Sequence, residues 1–460
     1  MLLTLILLLT TLVVAALLLS ALLPARVALL IGCATNVVQL HTIPILGIYP
    51  SLALLSWLAP WRSVVASPLW RWPWMQAVLA LAVIQAASLL WSPNPLLGVR
   101  YLIYLLPLPF VAHAFYQLSR ERSVLAQRYL RLLLLSSALE AVLVILFRFL
   151  PSVEIAFLSG PMARLFMSPN TLDALFYDGG NNVLDPAKAG GLFVNGNLAA
   201  TYLGMSAIAA WYVGRVTGST ALRAVAVLDW TAVLFTGSKA GLLGAIAIPL
   251  GLAMVSAIRA RQANPFTLFA AAVGLAAGVV ILALPLSQDL LTDYRYNTLA
   301  TLGSREELWR YAMQMIEQHP LTGLGFGGWE QRFQVYAAMT GTVAMPAHNS
   351  LFILWMQSGL PGLLGGLVFV AAVYAAVART LRSPDFESRQ LAMAAAGALS
   401  WYFVQGLGEN FGLVGEVHMT PLIGALLGHL CARYDGATGR YEHSSQSLRG
   451  AVAPSAIPAV

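Results

Sequence analysis

Apolar runs close to the ~20 residues needed to cross a hydrocarbon core recur along this chain, separated mostly by short polar turns. They predict helices at 2–23, 27–43, 45–59, 74–91, 97–116, 132–150, 198–213, 221–236, 240–258, 266–284, 351–377, 391–407 and 420–430. The second and third are short enough to form one broken hairpin, which leaves about 12 spans by the length rule. Two polar stretches are long, 151–197 and 287–350. The second far exceeds an ordinary connection and is expected to be functional or disordered. The pattern predicts an all-α, polytopic membrane bundle over 1–434 with a long, partly helical loop. A polar tail at 435–460 is expected to be disordered.

Composition agrees. The chain is 59% hydrophobic and 10% charged, with mean hydropathy +0.75, whereas a soluble domain carries about 25% charged residues. The net charge of +7 comes from arginine, since Lys188 and Lys239 are the only lysines. These arginines lie in short loops rather than on one patch, which argues against nucleic acid as a partner. Cys33 and Cys431 sit in apolar surroundings at opposite ends of the chain and read as packing residues, not a disulfide or metal site. The first residues are apolar without a basic leader, so they read as a retained span rather than a cleaved signal.

Arginine clusters orient the spans. Arg120, Arg122, Arg128 and Arg131, then Arg215 and Arg223, Arg259 and Arg261, Arg379, Arg382 and Arg389, and Arg433, Arg440 and Arg449 all fall on one face by alternation. The positive-inside rule makes that face cytoplasmic. The segments 151–197, 237–239, 287–350 and 409–418 then lie on the other face, and with them Arg164, Lys188, Lys239, Arg295, Arg305, Arg310 and Arg332. Long loops cross regardless of charge, which accounts for Arg164 and Arg332 but not for Lys239 in its very short turn.

Gly237-Ser238-Lys239 and Gly303-Ser304-Arg305 repeat one pattern. Serine caps a helix N-terminus, and a cation follows in a first turn that favours negative charge. The placement makes sense if both the cation and the helix end face an anion, which in a membrane protein suggests a lipid-linked phosphate. Ser304 and Glu307 also form a capping box. Leu308, Trp309, Ala312, Met315 and Ile316 then fall on one stripe, with Glu306, Arg310, Gln314 and Glu317 opposite. This predicts a helix lying on the membrane face that ends before Pro320. Gly323, Gly325, Gly327 and Gly328 lack the strand-then-helix context of a dinucleotide loop and read as a tight connection. Asn349 or Ser350 can cap the span that follows, with His348 beside it. A histidine titrating near neutrality, in the same compartment as Lys239 and Arg305, favours a general base.

Four pieces thus occur in order: Asn195-Gly196-Asn197, Ser238-Lys239, Ser304-Arg305 with Trp309 and the glycine-rich 320–328 stretch, and His348-Asn349-Ser350-Leu351. In that order the chain resembles the O-antigen ligase and polymerase superfamily of bacterial inner membranes, over residues 74–430 and most sharply over 303–362. The resemblance implies a multi-pass inner-membrane enzyme whose site faces the periplasm. It would take a glycan from undecaprenyl pyrophosphate and join it to an acceptor hydroxyl, on lipid A core in the ligases. Lys239, Arg305 and His348 match the family's basic pair and histidine. Ligases usually carry Ser-Arg where this chain has Ser238-Lys239; lysine keeps the charge but not the planar fork.

The implied partners are the lipid-linked glycan, an acceptor glycan or lipid A core, and membrane lipids. No cofactor or metal is implied, and Asp289 and Asp293 before Arg295 read as solvated loop charge. Arg305 and Lys239 would stabilise the leaving pyrophosphate, while His348 takes the acceptor proton, with inversion at the sugar carbon. Ser238, Ser304, Arg310, Asn349, Lys188 and Glu409 are the candidate substrate-binding residues, although Glu409 reads slightly better as a helix cap. Polymerase and protein O-oligosaccharyltransferase remain open within the superfamily. Outside it, a secondary transporter would use the intramembrane Glu140 and Asp229, although no internal repeat or matched broken helices occur.

Overall fold

A computed structural model describes residues 23–41, 50–167, 172, 188–259, 270, 274, 305–340, 347–409 and 411–438. Among them the chain is helical, apart from one isolated bridge between His41 and Ser51. The helices used below are α1 (Ala25–Thr35), α2 (Leu52–Leu58), α3 (Pro73–Ser88), α4 (Pro95–Leu105), α5 (Pro107–Glu121), α6 (Ser123–Leu135), α7 (Ser137–Phe149) and α8 (Pro151–Ser159). They continue with α9 (Gly196–Thr217), α10 (Thr220–Phe235), α11 (Lys239–Arg259), α12 (305–318), α13 (Gly328–Thr340), α14 (Ser350–Leu381), α15 (Phe386–Gly406) and α16 (Met419–Ala437).

Five stretches among the described residues are long and apolar enough to cross a membrane: Pro73–Trp91, Pro95–Glu121, Ser123–Phe149, Lys239–Arg259 and Ser350–Leu381. The expected runs at 2–23 and, but for residues 270 and 274, at 266–284 lie outside the described residues. The runs at 198–213, 391–407 and 420–430 do form helices, α9, α15 and α16, but these are less apolar. Their packing explains the composition. Almost every position of α16 from Met419 to Ala432 is buried in protein, so its surface meets other helices rather than lipid. By contrast, only 22% of the apolar window of α11 is covered, and its exposed Leu243, Val255 and Ile258 need a hydrocarbon surround.

Local chemistry sets the breaks. The run 97–116 is divided at Leu106, because Pro107 lacks an N–H and clashes with the preceding turn; α4 ends and α5 starts there. Within α14, Gly359 adopts φ +66°, two residues before Pro361, so the helix changes course at that point.

Close helix contacts use small residues, as expected where lipid removes the hydrophobic drive and packing decides. A Cβ on Gly424 of α16 would come within 2.9 Å of the Leu108 carbonyl on α5, and one on Gly397 of α15 within 2.6 Å of Ile208 on α9. Asp229 is tied across helices instead: the Ser137 hydroxyl of α7 donates to its Oδ2 at 2.6 Å.

The two ends of the bundle differ. One end carries the Tyr116–Asp435 hydrogen bond (2.9 Å), the Arg26–Glu121 ion pair (3.5 Å) and the Arg433–Glu387 ion pair. The other gathers the turns before α9, α11 and α14 and the ends of α3 and α15, and it is capped by α12 and α13.

The predicted helix from Arg305 is present, but its apolar stripe does not lie on a membrane surface. Leu308, Ala312 and Ile316 pack against Trp329, Phe333 and Ala337 of α13, with Trp329 and Phe333 stacked at 4.8 Å. A helix after the glycine cluster was not expected. The cluster itself is a tight connection. Gly323, Gly325 and Gly327 all have positive φ, and Phe326 N–H donates to Ser88 Oγ (3.1 Å) while its carbonyl accepts from Ser92 Oγ (2.8 Å).

Candidate functional site

Three helix starts meet at the capped end, each fixed by its own side chain. Asn195 Oδ1 accepts from the N–H groups of Asn197 (2.8 Å) and Leu198 (3.4 Å) to start α9. Ser238 Oγ accepts from Gly241 N–H (3.1 Å) at the start of α11. Asn349, rather than Ser350, caps α14, accepting from Leu351 (2.9 Å) and Phe352 (3.1 Å). These short polar side chains satisfy N–H groups that the helix cannot. Ser238 and Asn349 are therefore occupied in capping. Ser304 lies outside the described residues, and with it the capping box; the Glu307 side chain accepts from the Tyr336 hydroxyl at 3.1 Å.

Tertiary bonds draw the starts together. Gln405 Nε2 of α15 donates to the Asn197 carbonyl at 2.8 Å, and Ala189 N–H donates to the Thr236 carbonyl at 3.4 Å, joining the strand of chain after Lys188 to the turn before Lys239. Trp309 Nε1 of α12 donates to the Ala347 carbonyl at 3.1 Å, which sets α12 against the His348 turn.

Arg305, at the described start of α12, reaches Glu409 just past the end of α15, with Nη2 3.6 Å from Oε1. Glu409 is 2% exposed and its Oε2 accepts no hydrogen bond among the described residues. Burial pushes its carboxyl up to about 7, although the Arg305 guanidinium, the Asn197 amide and the Lys188 ammonium pull the other way. Desolvation outweighs three favourable partners here. His348 stands beside the same guanidinium. Burial, with the Arg305 charge added to it, holds its imidazole down at about 4, so the ring is neutral at neutral pH. Its Nδ1 makes no hydrogen bond among the described residues, and its backbone lies in the left-handed region at φ +48°. Non-glycine residues rarely adopt that conformation, and such strain clusters at functional sites.

The structure thus groups Arg305, His348, Glu409 and Lys188. Lys239 is exposed at the first position of α11, on the turn that Ala189 binds. Arg310 stands apart: it faces outward and pairs with Glu306 at 2.8 Å, both side chains well exposed. Asn197 was quoted from the sequence only as part of a helix start, yet it faces Glu409. Glu140 was noted for its intramembrane charge alone. Its Oε2 accepts from Leu192 N–H (2.9 Å) and so holds the short turn between Lys188 and Asn195. No local pattern marks a carboxylate that serves a segment 52 residues away.

Residues 224–367 match the family model described as O-antigen ligase. That match supports membership of the O-antigen ligase superfamily. No curated protein matches the chain. The family region holds Ser238, Lys239, Arg305, Arg310, His348 and Asn349. Lys188, Asn197 and Glu409 lie outside it, so the carboxylate facing Arg305 comes from the C-terminal helices and the second cation acting on it from the segment before α9. Membership and several apolar helices together indicate a multi-pass membrane protein of glycosyltransferase-like type.

Proposed function

We propose that this protein transfers a glycan from a polyprenyl pyrophosphate to an acceptor hydroxyl at the periplasmic face of the inner membrane, in the manner of an O-antigen ligase. The observation that carries the reading is the buried Glu409 beside Arg305 and His348, at a helix-start cluster that also bears Lys188 and Lys239. A surface with two or more cations and three helix starts suits a diphosphate. The acceptor oxygen bonds to the sugar C1 as the C1–O bond to phosphate breaks; the electron pair leaves with the pyrophosphate, whose growing charge Arg305 and Lys239 stabilise. The hydroxyl proton passes to His348, which is neutral and has an open ring nitrogen. A pyrophosphate on Arg305 offsets the charge that depresses His348, so donor binding makes the base stronger. Lys188 and Asn197 join Lys239 as groups that hold the donor, with Ser238 and Asn349 fixing the helix starts.

Hydrogen bonding favours this reading over solute transport, because Glu140 and Asp229 are engaged with Leu192 and Ser137. The test is complementation of a deletion strain. Wild type should restore polymer on lipopolysaccharide, while Arg305→Ala and His348→Ala, at equal protein level, should leave lipid-linked polymer to accumulate. Accumulated single repeat units instead would make the protein a polymerase, and full activity in both variants would remove the site.

A further inference from the structure

A cavity of about 530 Å³ is lined by chain neighbours of the Arg305–His348–Glu409 group, and its size is within the ~300–1,000 Å³ range of ligand sites. Ala347, Leu198 and Phe411 form part of its wall, and they neighbour His348, Asn197 and Glu409 in the chain. Helices α3, α4, α13 and α14 and the segment after α15 supply much of the rest, with residues 39, 41, 166–167, 192–194 and 326. Much of the lining is apolar or aromatic, including Phe326 and Trp329, but polar groups converge from separate helices: Gln85, Tyr101, Glu330 and Gln357.

Two of these are incomplete. The Tyr101 hydroxyl donates to Glu330 Oε1 at 2.7 Å, fixing that carboxyl, while Glu330 Oε2 has no partner among the described residues. Gln357 is 1% exposed, and its Oε1 likewise has none. Buried polar atoms are nearly always hydrogen-bonded in native folds, so two unpaired oxygens on side chains that line one cavity ask for a ligand or water within reach of a side-chain rotation. A ligand that answers them carries hydroxyl groups, which can donate to the amide oxygen and either donate to or accept from a carboxyl. It also has apolar faces to lie against Phe326 and Trp329. A sugar ring has both.

We propose that this cavity is the subsite for the sugar residue next to the reacting bond, with Glu330 and Gln357 reading its hydroxyls. The proposal rests on the glycan-transfer reading above. The ring belongs either to the donor's glycan or to the acceptor, and kinetics separate the two. Purified full-length protein would be assayed for transfer with lipid-linked O-antigen extracted from a ligase-deletion strain as donor and lipid A–core as acceptor. Gln357→Met removes the amide at similar volume. Val414→Phe fills the cavity from its loop wall and serves if the first variant folds poorly. The expected result is a rise of about tenfold or more in KM for one of the two substrates, with kcat and thermal midpoint near wild type. The substrate whose KM rises is the one the cavity holds. Unchanged KM for both substrates in both variants overturns the proposal and leaves a hydrated void. Wild-type protein that transfers nothing would instead defeat the glycan-transfer reading, and this subsite with it.

Discussion

Replacing Glu409 with glutamine should make the protein more stable and less active, and the gain should depend on pH in a defined direction. The carboxyl is raised from an ordinary 4.5 to about 7 in the folded chain, first by burial. A rise of that size corresponds to a preference for the protonated form on the order of 3 kcal/mol. Between these values the folded chain binds more protons than the unfolded one. Stability therefore falls as pH rises from 4.5 towards 7, and the whole penalty is present above about 7. Glutamine has the same shape and no charge to desolvate. Glu409→Gln should thus unfold at a higher temperature than wild type at pH 8, with the gap closing as pH approaches 4.5. The assay is a thermal midpoint in detergent at one fixed scan rate, since membrane proteins of this size often unfold irreversibly. No gain at pH 8, or a gain of equal size at pH 5, would show that the carboxylate is not held at a desolvation cost. Loss of transfer in the stabilised variant is expected, because its charge faces Arg305.

Gly323→Ala should destabilise the protein strongly: a Cβ there would sit 2.5 Å from the Gly359 amide nitrogen and 2.6 Å from the Met356 carbonyl oxygen, at φ +65°, and the conformation alone costs ~1–2 kcal/mol in a non-glycine residue. A lowered thermal midpoint and reduced membrane yield check it, and a wild-type midpoint would refute the packing argument. Glu140→Ala leaves the buried Leu192 N–H without its acceptor, a loss of ~1–3 kcal/mol, and should lower both midpoint and transfer. Glu140→Gln keeps an acceptor and should recover most of each; equal damage from both variants would mean that the charge, not the hydrogen bond, matters.

What could be read from the sequence was local. Asn195, Ser238 and Asn349 were recognisable as helix starts because a cap acts on N–H groups two or three residues ahead. The stripe from Leu308 to Ile316 was recognisable as a buried face, but its partner was not: a helix face that wants apolar cover looks the same whether lipid or protein supplies it. The sequence Gly328–Thr340 hid its helix because polar residues interrupt the period and glycines precede it. Apolar length alone also does not show which helices face lipid: α9 and α16 are buried by neighbours and need less hydrophobicity than a lipid-facing span. Arg305 and Glu409 were both singled out, yet nothing local ties them together across the 32-residue helix α14 and the helix that follows it. The cavity group of Tyr101, Glu330 and Gln357 was invisible for the same reason.

The left-handed backbone of His348 has an evolutionary corollary. Glycine or asparagine would sit at that φ with less strain, so a laboratory population selected only for heat tolerance should lose the imidazole early. A population required to decorate its cell surface at the same time should keep it. Sequencing the two lineages at this one codon would separate what the scaffold prefers from what its chemistry demands.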